Sequence, residues 1–241
     1  PMDIINKNGA DVFRLWAMTS DFKEDLKLGP SNIKQVSDQY RKVRNTFRFL
    51  LGNLNPADFD PKKDMIAYEN LEPVDQYVMI QLNEVIEKTV KAVLSYDYID
   101  ANKTLVNFMT NDLSSYYCDF TKDILYCSAK NDTRRRQVQS VFWQATDALV
   151  KLWAPFLVYT MEEVWMHFTD DSVESVHYAH FPTAVHYENE AEVKAMFTTL
   201  NGIKDDVNKA LEEARANKEI GTSQEAEVQL AVTEEEKELL E

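Results

Sequence analysis

Four basic side chains on one predicted helix could bind phosphate. Lys34, Arg41 and Arg48 are spaced seven residues apart and share one face of the helix, and Arg44 lies between this face and the apolar side. Arginine presents a rigid fork of N–H donors that suits phosphate oxygens. Alternatively, this is a solvated face whose arginines pair with carboxylates of a neighbouring helix. The residues alone leave both interpretations open.

A second basic cluster, formed by Arg134, Arg135 and Arg136, stands at the start of another predicted helix. Three cations at this end are unfavourable, because the helix dipole already places positive partial charge there. The cluster therefore calls for a counter-anion, which could be a protein carboxylate or a phosphate group. Both alternatives stay open at the level of sequence.

The first basic row requires a long helix, and the sequence predicts one from Ser31 to Leu54. Apolar residues recur along it at steps of three and four, which is typical of a helix with one buried stripe. Pro30 and Ser31 are start signals, because a serine side chain can accept from a free amide of the first turn. The stripe consists of Ile33, Val36, Tyr40, Val43, Phe47, Leu50 and Leu54.

Further helices are expected from the same periodicity, and together they predict a mainly α fold built as a helical bundle. The chain contains only five glycines and few alternating β-branched runs, which favours helices over strands. The helix expected from about residue 100 is predicted to break or kink near Thr110 and Asn111. These five helices are predicted at about 73–97, 100–125, 133–153, 155–168 and 190–218.

The last part of the chain has a different pattern. Gly221 is expected to end the long helix, and the alternation of polar and apolar residues from Glu225 to Val232 predicts a strand. Thr233 is expected to cap a final helix. Because one strand cannot form a sheet, we expect a small α/β segment that is cut short. The chain begins with Pro1, so we expect a fragment of a longer protein.

Composition limits the possible partners. The net charge is −15, which argues against indiscriminate nucleic-acid binding. The acidity is concentrated after residue 186, where the sequence has 15 acidic and 6 basic residues. The charge also disfavours an amphipathic bundle on anionic membranes, and no apolar run is long enough to span one. Cys118 and Cys127 need no disulfide, so a reducing cytoplasm is the expected setting.

Self-sufficient catalysis is not predicted. The few glycines cannot build a phosphate-binding loop, and His177 and His180 lack a third ligand at metal-binding spacing. Glu162 and Glu163 are neighbours on a helix and point apart. We therefore predict no catalytic residue, no metal ligand and no cofactor within this chain. The residues by themselves indicate a helical binding module or a protein-interaction scaffold.

Five stretches, in this order along nearly the whole chain, resemble isoleucine–tRNA ligases, which are class I aminoacyl-tRNA synthetases. Valine–tRNA ligases share the architecture and are the nearest alternative. The stretches are GADVFRLW, YRKVRNTFRFLLGNL, DLSSYYCDFTKDILYC, RRRQVQSVFWQATDALVKLWAPFLVYTMEEVW and KEIGTSQEAEV.

The resemblance implies a domain plan. Residues 1–30 would end the linker from the catalytic core, 31–186 would form the helical anticodon-binding domain, and 187–241 would begin a C-terminal domain. The family's Lys-Met-Ser-Lys-Ser loop and His-Ile-Gly-His motif do not occur in this sequence. The full enzyme would use ATP and Mg²⁺ to activate isoleucine, and this fragment would be inactive alone.

The resemblance also implies a partner and a set of contacts. The fragment would bind the anticodon arm of tRNA(Ile) and would work together with the enzyme's own catalytic and editing domains. No membrane partner is expected. The predicted RNA-binding residues match two basic stretches of the family and are Lys34, Arg41, Arg44, Arg48, Arg134, Arg135 and Arg136.

Overall fold

The computed structural model describes residues 1–26, 28–168 and 173–240 and divides the chain into two units, Pro1–His186 and Tyr187–Glu241. Residue 27 of the predicted linker and residues 169–172 of the predicted anticodon-binding domain lie outside this description. The domain plan itself stays a prediction.

The described part of the first unit is helical. Short 3₁₀ turns occur at Tyr68–Asn70 and Val176–Tyr178. The α-helices are α1 Met2–Asn8, α2 Ala10–Met18, α3 Pro30–Gly52, α4 Pro61–Asp64, α5 Pro73–Leu94, α6 Tyr98–Asn107, α7 Cys118–Phe120, α8 Lys122–Cys127, α9 Thr133–Trp153 and α10 Val158–Phe168.

Helix α9 lies at the centre of the first unit, in contact with α3, α5 and α10. Its apolar residues occur on more than one side, as in a helix surrounded by others, and Phe142, Leu149 and Trp153 are completely buried. Phe47 and Leu50 of α3 are also buried, with 1% and 0% exposure. Burial of these large side chains supplies the main drive for folding. The prediction of a mainly α helical bundle is confirmed.

The helix predicted from about residue 100 takes an unusual form. After α6 the chain continues as a π-helix from Phe108 to Tyr117, followed by α7 and α8. The predicted break near Thr110 and Asn111 therefore falls inside a widened helix. Such i→i+5 stretches are rare and are often associated with functional sites.

The second unit contains α11, Glu190–Ala216, a 3₁₀ turn at Ser223–Glu225, and α12, Glu234–Leu240. The predicted strand is wrong: residues 226–232 belong to no strand, and none is present in the described part of the chain. Alternation is not sufficient, because a strand requires a partner for its backbone hydrogen bonds. The expected cap at Thr233 is confirmed: its hydroxyl accepts from the Glu236 amide at 3.3 Å, and its own amide donates to Glu236 Oε2 at 2.8 Å.

The helices that the structure describes include none that combines the length and apolar character needed to cross a membrane.

Candidate nucleic-acid interface

Helix α3 positions the first basic row. Pro30 stands in its first turn, where a missing N–H has no cost. The N-cap residue is Gly29, so the capping role expected of Ser31 is not observed. Ile33, Val36 and Val43 are buried on the inner side of α3. Because these side chains hold the helix against the bundle, the opposite face is turned to solvent.

Three members of the row are available to a ligand. Lys34, Arg41 and Arg48 are all exposed. Arg41 Nη1 lies 3.3 Å from Asp38 Oδ1, in a pair whose side chains are 70% and 48% exposed. Such surface pairs contribute about 0–1 kcal/mol, so a phosphate can displace the carboxylate at little cost. Within the described residues, Lys34 and Arg48 form no ion pair.

Arg44 has a different environment, although it is also exposed. Its Nη2 donates to Glu163 Oε1 of α10 at 3.1 Å, and its Nη1 donates to the Tyr40 hydroxyl at 3.3 Å. The hydrogen bond with Tyr40, and then that with Glu163, raise the pKa of the Arg44 guanidinium. The Tyr40 hydroxyl in turn lies 2.9 Å from Thr160 Oγ1. Arg44 therefore links α3 to α10, which is the structural alternative that the sequence left open.

Arg134, in the second cluster, binds a buried carboxylate. Its Nη1 and Nη2 donate to Asp75 Oδ2 and Oδ1 at 2.5 and 3.0 Å, and Asp75 has no exposed surface. The Tyr117 hydroxyl donates to the same carboxylate at 2.7 Å. Burial raises the pKa of Tyr117 well above its usual value, so this hydroxyl stays a donor. The counter-anion of Arg134 is thus a protein group on α5.

Arg135 and Arg136 are also bound by protein groups. Arg135 Nη2 lies 2.5 Å from Asp58 Oδ2, and this bond, more than any other interaction, lowers the pKa of Asp58. Arg136 Nη1 donates to the backbone oxygen of Asp58 at 2.6 Å, and its Nη2 lies 3.9 Å from Asp64. The two arginine side chains are only 11% and 12% exposed. The structure thus places carboxylates around the cluster, and its RNA contact stays a prediction.

A groove beside the basic row was not predicted from the sequence. It runs between α3 on one side and α6 with the π-helix on the other, and its larger part has a volume of about 730 Å³. Lys34, Lys42 and Lys103 line this part. Lys42 is not a member of the seven-residue row, so the spacing of the row gave no signal for this groove. Only the packing of α6 beside α3 brings Lys42 and Lys103 to one groove.

The histidines considered as ligands do not come together. His177 Nε2 lies 3.2 Å from the backbone oxygen of Val158 and 3.9 Å from Glu162 Oε2, while His180 lines a separate cavity near Trp143. Across the ranges that the structure describes, no group of three or more His, Cys, Asp or Glu residues is arranged to hold a metal ion.

Comparison with known proteins now decides the family. Residues 75–230 match the family described as the anticodon-binding domain of tRNA ligase. The chain belongs to this family. The matched region begins at Asp75 in α5 and includes α6, the π-helix, α9 and α10, and it also extends into the second unit.

Curated relatives agree with this assignment. The chain is 45% identical over 240 residues to isoleucine–tRNA ligase of Bacillus licheniformis, covering all of this chain and 26% of that protein. It is 42% identical to isoleucine–tRNA ligase of Bacillus subtilis over 240 residues, with the same coverage. It is 43% identical to the enzyme of Latilactobacillus sakei over 230 residues, covering 95% of this chain and 24% of that protein. The chain thus spans about a quarter of the length of these ligases.

A solved structure shows a similar fold. This chain aligns with LeuRS from Agrobacterium radiobacter, in a ternary LeuRS–tRNA–LeuAMS complex, with a TM-score of 0.53 and 17% identity. The alignment covers 76% of this chain and 20% of that one. At this identity the likeness supports the helical fold alone.

Proposed function

We propose that this chain binds the anticodon arm of a tRNA and forms part of an isoleucine–tRNA ligase. Its membership in the anticodon-binding family and its relatives support the class of partner. The observation that carries the proposal in the structure is the solvent face of α3, where Lys34, Arg41 and Arg48 are exposed and at most weakly paired.

The physical role of this face is to neutralise phosphates. Residues seven apart rise about 10 Å along a helix, so Lys34, Arg41 and Arg48 present a line of cations that can follow a nucleic-acid backbone. Each cation that replaces a condensed counterion makes binding salt-dependent. Such contacts orient the RNA but carry no sequence information. The chain as a whole is acidic, so local cations rather than net charge must attract the RNA.

The proposed role of the module is positional. By holding the anticodon arm, it would orient the acceptor end of the tRNA toward an active site that these residues do not form. Activation of isoleucine with ATP belongs, in this proposal, to the catalytic domain of the full-length ligase, of which this chain spans about a quarter. We propose a binding role, and no step of amino-acid activation, for this chain. A cytoplasmic location, with the catalytic and editing domains as partners, belongs to the same proposal.

The first test is a titration of this chain with tRNA(Ile) and with tRNA(Val) at low and moderate salt. We expect salt-sensitive binding that favours tRNA(Ile). Equal binding to both would reduce the role to a backbone contact and would reopen the valine alternative. If the folded chain binds neither tRNA at low salt, a protein-interaction scaffold becomes the better explanation.

The second test removes two cations from the row. In Arg41→Ala/Arg48→Ala we expect weaker tRNA binding and a salt slope reduced by about two units, one for each lost phosphate contact. Lys91→Ala/Lys209→Ala is the matched control, because both lysines are exposed on other helices and the charge change is the same. An equal effect of the two double variants would show that only net charge matters.

A further inference from the structure

A cavity of about 580 Å³ lies between α9, α10 and residues 178–183 of the first unit. Its volume falls within the range of about 300–1,000 Å³ that is typical of small-molecule sites. It shares no lining residue with the groove beside α3, so it is a separate site. We call it the aromatic cavity, because five aromatic side chains line it, those of Trp143, Trp165, Phe168, Tyr178 and Phe181.

Helix α9 contributes one wall of the aromatic cavity. Trp143, Asp147 and Lys151 are spaced four residues apart, so they follow one another along one face of the helix. Most of the second half of α9 is buried, whereas these three side chains are only half-buried. The stripe therefore places a large ring and two charged groups side by side at the cavity.

Contacts within the protein hold the aromatic rings in place. Trp165 is only 5% exposed, and its Nε1 donates to the backbone oxygen of Val173 at 2.9 Å. The ring of Phe168 has its centroid 5.4 Å from that of Trp143 and 6.4 Å from that of Trp165. Rings that are already held in this way lose little conformational freedom when a ligand binds.

The segment that forms the third wall is fastened to α10. Glu162 Oε2 accepts from Ser175 Oγ at 2.8 Å and from the Val176 amide at 3.2 Å. The Val176 side chain is 2% exposed, so the 3₁₀ turn that leads to Tyr178 is anchored on the bundle. The protein itself therefore fixes the walls of the aromatic cavity.

Two opposite charges lie at the wall of the aromatic cavity. Lys151 Nζ lies 2.7 Å from Asp147 Oδ2 and 5.7 Å from the centroid of the Trp165 ring. The two charged side chains are 21% and 25% exposed, so water screens them less than a fully exposed pair. Among the described residues that line the cavity, the other group that can carry a charge at neutral pH is the ring of His180.

A ligand that carries both charges is complementary to this pair. A purely cationic ligand would be repelled by Lys151, and a purely anionic one by Asp147. An α-amino acid has its ammonium and carboxylate groups on one carbon, so each group can face the opposite charge in a charge-assisted hydrogen bond. An aromatic side chain on the same carbon could then stack on the cavity rings or meet them edge to face.

We propose that the aromatic cavity binds a free aromatic α-amino acid. Its ammonium group contacts Asp147, its carboxylate contacts Lys151, and its ring packs against Trp143 and Phe181. This site goes beyond the proposed function and does not depend on it, because none of these residues belongs to the basic row on α3. Since the cavity joins α9, α10 and the segment after them, a bound amino acid should also stabilise the first unit.

The test compares three probes that carry the same phenyl ring. L-Phenylalanine has both charges, 2-phenylethylamine has only the ammonium group, and 3-phenylpropionate has only the carboxylate. Each is titrated into the chain, and tryptophan fluorescence reports binding because Trp143 and Trp165 line the cavity. L-Phenylalanine should bind about tenfold more tightly than either analogue, which is the effect expected for one charge-assisted hydrogen bond.

Two substitutions should remove this preference in opposite ways. In Asp147→Asn, L-phenylalanine should bind about as weakly as 3-phenylpropionate, because its ammonium group has lost its partner. In Lys151→Met, it should bind about as weakly as 2-phenylethylamine, because its carboxylate has lost its partner. Glu84→Gln and Lys88→Met are the matched controls, since this pair has the same spacing on α5, lies outside the cavity and should not affect any of the three affinities.

Circular dichroism verifies that each variant is folded. Equal affinity of the unsubstituted chain for the three probes would mean nonspecific contact with the rings and would overturn the proposal. Unchanged preferences in folded Asp147→Asn and Lys151→Met would also overturn it, as would the absence of any fluorescence change with L-phenylalanine. None of these results bears on the proposed function, which the tRNA titrations test separately.

Discussion

Replacing Arg134 with alanine should destabilise the protein strongly. The substitution removes both donors that the guanidinium supplies to Asp75, and Asp75 Oδ2 then has no partner among those described. Only the Tyr117 hydroxyl remains, on Oδ1. Removing one partner of a buried ion pair costs about 3–5 kcal/mol, because the other charge stays buried without compensation.

Urea unfolding followed by circular dichroism measures this loss. With a slope of about 1–3 kcal/mol per molar urea, the Arg134→Ala midpoint should fall by at least about 1 M. Arg41→Ala is the matched control, since it removes the same side chain from an exposed pair and should cost no more than about 1 kcal/mol. Asp75→Ala/Arg134→Ala should lose less than the sum of its single variants, because the two residues interact directly.

Similar unfolding midpoints for Arg134→Ala and Arg41→Ala would refute the argument that the second basic cluster stabilises the fold. In that case another group or water would stabilise the Asp75 carboxylate in the variant, and a role of Arg134 in binding a ligand would again have to be considered. A large loss of stability, in contrast, means that weaker tRNA binding by an Arg134 variant cannot by itself be assigned to a lost RNA contact.

Two further predictions concern acid and thiol chemistry. Arg135 holds the pKa of Asp58 below its ordinary value, so the stabilisation is complete above about pH 4 and is lost as pH falls through the folded-state pKa. The stability of Asp58→Asn should therefore fall less between pH 5 and pH 2 than that of the unsubstituted chain, and parallel curves would contradict this. Burial raises the pKa of Cys118 to about 12, whereas Cys127 is exposed, so a thiol reagent at pH 8 should label Cys127 first, and Cys127→Ser should abolish the fast phase.

Much of the helical framework could be predicted from local patterns. The predicted helix at 133–153 matches α9, because Asp132 caps it through a bond from the Arg135 amide at 3.2 Å and a proline follows its end. The Ser31–Leu54 helix was close to α3, which runs from Pro30 to Gly52. The strand over 225–232 failed because strand formation depends on a partner segment, which alternation within the segment cannot report.

The candidate site was less accessible to prediction. Helical spacing placed Lys34, Arg41 and Arg48 on one face, and the structure leaves all three exposed. For Arg134 the sequence could not decide whether the counter-anion is a protein carboxylate or a phosphate, because Asp75 is far away along the chain. The same limit hid the groove, whose walls come from α3, α6 and the π-helix.

The sequence by itself determined the helical class, the start of the central helix and the existence of a basic face on α3, since all three depend on residues within a few turns of one another. Tertiary structure decided which cations are available to a ligand. Arg134 and Arg44 are held by carboxylates on other helices, whereas Lys42 and Lys103 line one groove and have no such partner among the residues that the structure describes. The physical reason is that charge pairing and burial depend on distances between helices, which periodicity along one helix does not contain.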